Sequence, residues 1–302
     1  MSLCSKEKFI IVGIGEILWD LFPEERRFGG APANFAYHVS ALGHQGIIAS
    51  RIGKDALGKE IFNYLTSCGI STKYIQIDPN HPTGTVNVKT DEEGHPEYII
   101  KQNVAWDFFE FDEKWKNLAR KADAINFSSL SQRSLKSYYT IKEFLNYTRK
   151  DTVRIFDINL RQNFYSTEII TQSLNASSIL KINNEELSIL IDLLDYQGKK
   201  SQEESCKFLV KKYELDLLCL TNGKNGSLLV TNREMVRHRG YKVNIVDTVG
   251  AGDAFLAALV VKYLEGKSLK EMSEAANKIG SWVASQFGAT PLINEYILKE
   301  LL

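Results

Sequence analysis

The segment Asp247-Thr248-Val249-Gly250-Ala251-Gly252-Asp253 carries the residue types needed to hold an anion and to move a proton beside it. Gly250-Ala251-Gly252 precedes an apolar run beginning near Ala254. The free N–H groups of a helix start would therefore point out of a loop with no bulky side chain in the way. A phosphate fits such a cradle. Asp253 would then place a carboxylate beside the transferring group, within reach as a general base. The same residues also suit a tight turn with a helix N-cap, so the surrounding sequence has to choose between the two. Two other phosphate loops are excluded by position. Gly266-Lys267-Ser268 ends like a P-loop but has Val261 at the first glycine, and Gly13-x-Gly15 has Leu18 where the third dinucleotide-loop glycine belongs.

Short apolar runs that suit buried parallel strands recur along the chain: Phe9 to Gly13, Gly46 to Ile52, Ala122 to Ser128, Val153 to Ile158, Ser178 to Ile182 and Leu215 to Thr221. Most are separated by stretches with helical periodicity, among them Pro32 to Leu42, Ala56 to Cys68, Leu135 to Tyr147, Glu185 to Leu194, Glu203 to Tyr213 and Ala254 to Leu264. That rhythm predicts an α/β fold with a doubly wound, mostly parallel sheet. One region breaks it. Thr83 to Lys101 alternates as a strand, turns at Asp91-Glu92-Glu93-Gly94 and continues through Tyr98-Ile99-Ile100, a hairpin without a helix. With the extended-looking Glu16 to Phe22 it predicts a small projecting β-sheet lid, formed by about residues 15–28 and 83–108 of a single domain spanning 1–302.

The chain has 302 residues, 37 Lys plus Arg against 37 Asp plus Glu, and so no net field to attract nucleic acid. Its four cysteines, Cys4, Cys68, Cys206 and Cys219, are scattered with no metal-ligand spacing and read as reduced thiols of a cytoplasmic protein. Phe9–Val12 is too short for a signal peptide and Ala254–Val261 too short to span a bilayer, so neither export nor a membrane partner is expected.

The nine residues Asp247 to Phe255 resemble the C-terminal signature of the ribokinase-like (PfkB) carbohydrate kinases. Gly29-Gly30-Ala31-Pro32-Ala33-Asn34 through Leu42-Gly43 is similar to that family's N-terminal motif, Asn183-x-x-Glu186 to its Asn-x-x-Glu motif, and Thr221 to Gly226 to its nucleotide loop. The resemblance covers nearly the whole chain, and its fold, a doubly wound domain with a β-lid, agrees with the periodicity.

The resemblance implies an ATP-dependent phosphotransferase acting on an alcohol group. Asp253 would be the base, and the N–H groups of Gly250, Ala251, Gly252 and Asp253 would hold the charge developing on the γ-phosphoryl. Asp20, Gly29, Gly30, Asn34 and Arg161 would bind the sugar, although an isolated Asp or Asn also serves turns and caps, and a lone Arg a surface ion pair. Thr221, Gly223 and Gly226 would line the ATP phosphates and ribose, with Asn183 nearby and Asn277 near the adenine. Asn183 and Glu186 would order Mg²⁺ through water, whereas by residue type alone the pair reads as a helix cap. Backbone carbonyls of Asp247, Val249 and Gly288 would take K⁺. Ala-Pro after Gly29-Gly30 and the stretch Gly15 to Pro23 resemble the fructokinase-like branch, which makes fructose the first substrate. Another ketose, a pentose or a nucleoside fits the same chemistry, and a catalytically silent sugar sensor is the alternative of a different class. Trp19, Val104 and Trp106 are candidates to shape the pocket. An apolar lid face without a covering helix would favour a homodimer through the lid.

Overall fold

The computed structural model describes residues 8–90, 96–199 and 201–301; the turn expected at 91–94 lies outside them. Strand β1 (Ile10–Ile14) leads into β2 (Leu18–Leu21) and β3 (Arg26–Gly29), then helix α1 (Ala31–Ala41), β4 (Gln45–Gly53), α2 (Ala56–Ser67) and β5 (Ile75–Asp78). The hairpin strands β6 (Gly84–Thr90) and β7 (Pro96–Ile100) follow, then α3 (Glu113–Lys121), β8 (Ala124–Ser128), α4 (Leu135–Asn146) and β9 (Val153–Asp157). Next come α5 (Thr167–Ala176), β10 (Ile179–Asn183), α6 (Asn184–Leu193), α7 (Gln202–Lys212), β11 (Leu217–Thr221), β12 (Ser227–Val230) and β13 (Met235–His238). The chain closes with α8 (Ala251–Leu264), α9 (Leu269–Ala284) and α10 (Glu295–Leu301).

Among the described residues the main sheet has nine strands in the order β13-β12-β11-β10-β9-β8-β1-β4-β5. From β11 to β5 every pair is parallel, and β12 and β13 are antiparallel additions at one edge. Both faces of the central parallel strands are buried, which is why those strands read as continuous apolar runs rather than as alternating ones. Successive residues go to opposite sides. Val12, Ile125, Phe156, Leu180 and Leu218 face one core, while Ile11, Ala124, Ile155, Ile179 and Leu217 face the other. The second core is closed by α8, whose residues Ala254 to Val261 are all buried. Each of its Leu and Val side chains removes enough apolar surface from water to stabilise the fold by about 1.5–3 kcal/mol. No helix among the described residues is long and apolar enough to cross a membrane.

The second sheet, β3-β2-β6-β7, stands apart from the first. Its strands occupy 18–29 and 84–100, slightly inside the expected span, and Ala105–Phe108 is a buried helical turn rather than lid. Its β2–β6 pair is parallel and the other two are antiparallel. The expectation of an uncovered apolar face is corrected for β2 and β3. There Trp19 and Phe28 pack edge to face, Phe28 lies 4.9 Å from the Tyr64 ring of α2, and Trp19 Nε1 donates to Leu57 O at 3.1 Å.

Candidate active site

The candidate site side chains gather at the carboxyl ends of the central parallel strands, where an open α/β sheet leaves a crevice. Glu16 follows β1, Asp157 ends β9, Asn183 ends β10 and Thr221 ends β11. Two cavities open there. One, of about 430 Å³, is bordered by Asp20, Gly30, Asn34, Arg161 and Asp253 and roofed by Leu18, Val86, Tyr98 and Ile100 of the lid sheet. The other, of about 520 Å³, is bordered by Thr221, Gly223, Gly226 and Asn277 and by the apolar Val243, Ile245, Phe255 and Ala284. Thr248 and Gly252 line both.

Helix α8 begins at Ala251 with Gly250 ahead of it as N-cap, so Ala251 and Gly252 belong to its first turn rather than to a preceding loop. No side chain caps this end. Ala251 N donates to Thr248 O across a long 3.3 Å, and the first-turn N–H groups beyond it are the donors an anion would meet. The N-cap, Gly250, sits at φ 75°, and a Cβ built there would lie 2.7 Å from Ala289. Gly250→Ala is therefore expected to move the loop and to cost about 1–3 kcal/mol in strain. Turnover should fall while α8, held by its apolar contacts, persists. Circular dichroism and steady-state assays on the same sample check this.

Asp253, half-buried at the base of this turn and lining the smaller cavity, has its pKa pushed up to about 7. Burial is the main cause and the Asp157 carboxylate adds to it, while Lys181 and a hydrogen bond from Asn34 Nδ2 to Asp253 Oδ2 at 2.9 Å work the other way. Asn34 Oδ1 is buried without a partner, an acceptor left for a hydroxyl in the cavity. Lys181 is nearly enclosed, with its remaining exposure toward the smaller cavity. Its ammonium lies 2.9 and 3.2 Å from the two Asp157 oxygens, and although burial opposes its charge, Asp157, Glu186 and Asp253 together hold its pKa above the ordinary lysine value. Burial likewise raises Asp20, to about 6, against the pull of Arg27 and Arg161. Glu16 is raised for the same reason while it accepts from Ser131 Oγ.

Several expected residues are brought together and others are placed differently. Gly29 lies directly under Asp20, whose Oδ2 would be 2.6 Å from a Cβ at that position. Asp247 Oδ1 accepts from Val249 N and its Oδ2 from Gly288 N, so the segments expected to supply carbonyls to K⁺ lie side by side. Asn183 and Glu186 line neither cavity. They form a reciprocal cap of α6, with Glu186 Oε2 accepting from Asn183 N and its Oε1 from Leu160 N. Asn277 borders the larger cavity, but its amide donates to Ser227 Oγ and Ser273 O. Trp19, Val104 and Trp106 are buried and line neither cavity, so they shape the pocket only through what they support. Glu16, Asp157, Asn159 and Lys181 line the smaller cavity without having been singled out. A lysine inside the otherwise apolar run of β10 was the available signal.

A lidded α/β scaffold in which an uncapped helix start separates two cavities, with a half-buried carboxylate on one side, has the layout a small-molecule phosphotransferase needs. Residues 23–295 match the pfkB family of carbohydrate kinases, and the chain belongs to that family. It is 26% identical to the fructokinase of Escherichia coli over 296 aligned positions, 91% of this chain and 93% of that protein. The uncharacterized sugar kinase PH1459 of Pyrococcus horikoshii, solved in complex with ATP, superposes with a TM-score of 0.79 at 27% identity, covering 97% of this chain and all of that one. The fructokinase of Vibrio cholerae O395, solved with fructose, ADP and calcium, shares the fold at a TM-score of 0.81 and 23% identity over 98% of this chain and 99% of that one.

Proposed function

We propose that the protein transfers the γ-phosphoryl group of ATP to a hydroxyl of a neutral sugar, with fructose as the first candidate. The observation that carries this reading is the sharing of Thr248 and Gly252 by the two cavities, with Asp253 on the side of the smaller one. The donor nucleotide occupies the larger cavity, its base against Val243, Ile245 and Phe255 and its phosphates toward Gly252. Asp253 takes the proton of the acceptor hydroxyl as the oxygen bonds to phosphorus, and the bond to ADP breaks. The uncapped N–H groups at the start of α8 stabilise the charge on the moving group. Mg²⁺ arrives with the nucleotide as part of the donor, and each Glu186 oxygen, accepting a single backbone N–H, keeps a lone pair for water on that ion. The paired segments at Asp247–Val249 and Gly288 are the candidate seat for K⁺.

Charge selects the acceptor class. Glu16, Asp20, Asp157 and Asp253 border the smaller cavity against Lys181 and Arg161, so a phosphorylated acceptor would meet like charge, while hydroxyls find acceptors in Asp20 and in the free Asn34 oxygen. Likeness to a fructokinase supports fructose as the first neutral sugar to test. ADP release measured across neutral sugars, sugar phosphates and nucleosides tests the reading. Turnover with a neutral sugar is expected, and turnover confined to sugar phosphates would contradict it. Asp20→Ala should raise the sugar KM about tenfold or more, the cost of a hydrogen bond to a charged group, with the ATP KM little changed. An unchanged sugar KM would remove Asp20 from the site.

A further inference from the structure

Arg27 lies on the lid strand β3, directly across the β2–β3 pair from Asp20. Its side chain reaches out of the lid sheet. Nη1 donates to Asp247 Oδ2 at 3.0 Å, a contact between residues 220 apart in the chain. The guanidinium also stacks on two rings, Phe22 of the lid at 4.3 Å and Phe287 of the turn after α9 at 4.1 Å. Glu25 accepts from its Nε and Nη2 and so holds the planar fork in one orientation. Asp247 in turn receives the N–H groups of Val249 and Gly288. One cation therefore joins the lid, the loop leading to Gly250 and the turn whose Ala289 packs against Gly250.

We propose that Arg27 is a positioning residue that clasps the lid to the anion-holding loop, so that ordering of the lid over a bound acceptor also sets the donors at the start of α8. It lines neither cavity. Its positioning effect passes through Asp247, separate from the charge it also exerts on Asp20, and the inference rests on the kinase reading above for its catalytic consequence. A loop displaced by an ångström misaligns the donors with the transferring group and lowers turnover without removing any group that binds ATP. Long-range geometry, not proximity to the reacting atoms, makes Arg27 matter.

Two measurements on the full chain test the clasp. In Arg27→Met, amide hydrogen exchange at Val249 and Gly288 should quicken about tenfold or more, because the carboxylate that accepts both N–H groups has lost its anchor. With the sugar found to turn over, kcat should fall about tenfold with the ATP KM within about threefold. Arg27→Lys, which keeps the charge but not the fork, should recover part of both. Combining Arg27→Met with Asp247→Asn should lower kcat no further than the worse single variant, since both break one connection. Unchanged exchange at Val249 and Gly288, or multiplicative losses in the double variant, would overturn the proposal. If no sugar is phosphorylated by the unsubstituted protein, the kinase reading fails while the exchange measurement still decides the clasp.

Discussion

Asp253→Asn is expected to lower kcat by about 10²–10⁴-fold, the usual weight of a positioned general base, while ATP binding changes little. The substitution keeps the shape of the side chain and removes only the ability to accept a proton. Burial and the nearby Asp157 charge raise the Asp253 pKa to about 7, so the protonated form predominates below that pH and cannot act as a base. Turnover of the unsubstituted protein should accordingly rise between pH 6 and 8 and level off above, with an inflection near 7. On the proposed mechanism, that inflection belongs to the coupled group of carboxylates, with Asp253 as the reacting member. In Asp253→Asn the residual rate should lose it. An unaltered inflection in that variant would assign the proton transfer to another group.

Lys181→Met is the second large effect, and it should appear in both stability and catalysis. Lys181 offsets Asp157 at 2.9 Å and also acts on Glu186 and Asp253 from a largely buried position. Removing it strands carboxylates in a low-dielectric environment, which costs about 3–5 kcal/mol when one partner of a buried pair is lost. Denaturant unfolding should show that loss. Since Lys181 holds the Asp253 pKa down, its removal should also move the turnover inflection to higher pH. A variant as stable as the parent, with an unshifted profile, would show that Lys181 is not the counter-charge of the site.

Local patterns made much of the fold legible. The strands β1, β4, β8, β9, β10 and β11 stand out because both faces of the sheet are buried, and α1 and α2 because Gly43 and Gly69 end them at positive φ. The lid was readable from the alternation in β6 and the absence of a helix after it. Other elements were passed over. Helix α9 opens with a reciprocal Ser268–Glu271 cap, yet Gly266-Lys267-Ser268 drew attention as a failed P-loop instead. The edge pair β12 and β13 has a period that is short and, in β13, half-exposed. Within the candidate site, motif spacing pointed to Asp253, Asn34 and Gly250, which line the smaller cavity, because those motifs are runs of chain neighbours. Lys181 and Arg27 depend on partners 24 and 220 residues away, and no local pattern encodes a contact of that range. Asn183 and Glu186 show the converse, since the cap that residue type suggested is present in full.

Transfer of phosphate to a sugar through Asp253 is tested most directly by following the acceptor itself. The unsubstituted protein and Asp253→Asn would each be incubated with ATP, Mg²⁺ and fructose, and the sugar product read by phosphorus NMR. On this assignment a phosphate-ester signal should grow with the unsubstituted protein and be suppressed by at least about a hundredfold in the variant. Equal rates of ester formation by the two proteins would contradict it.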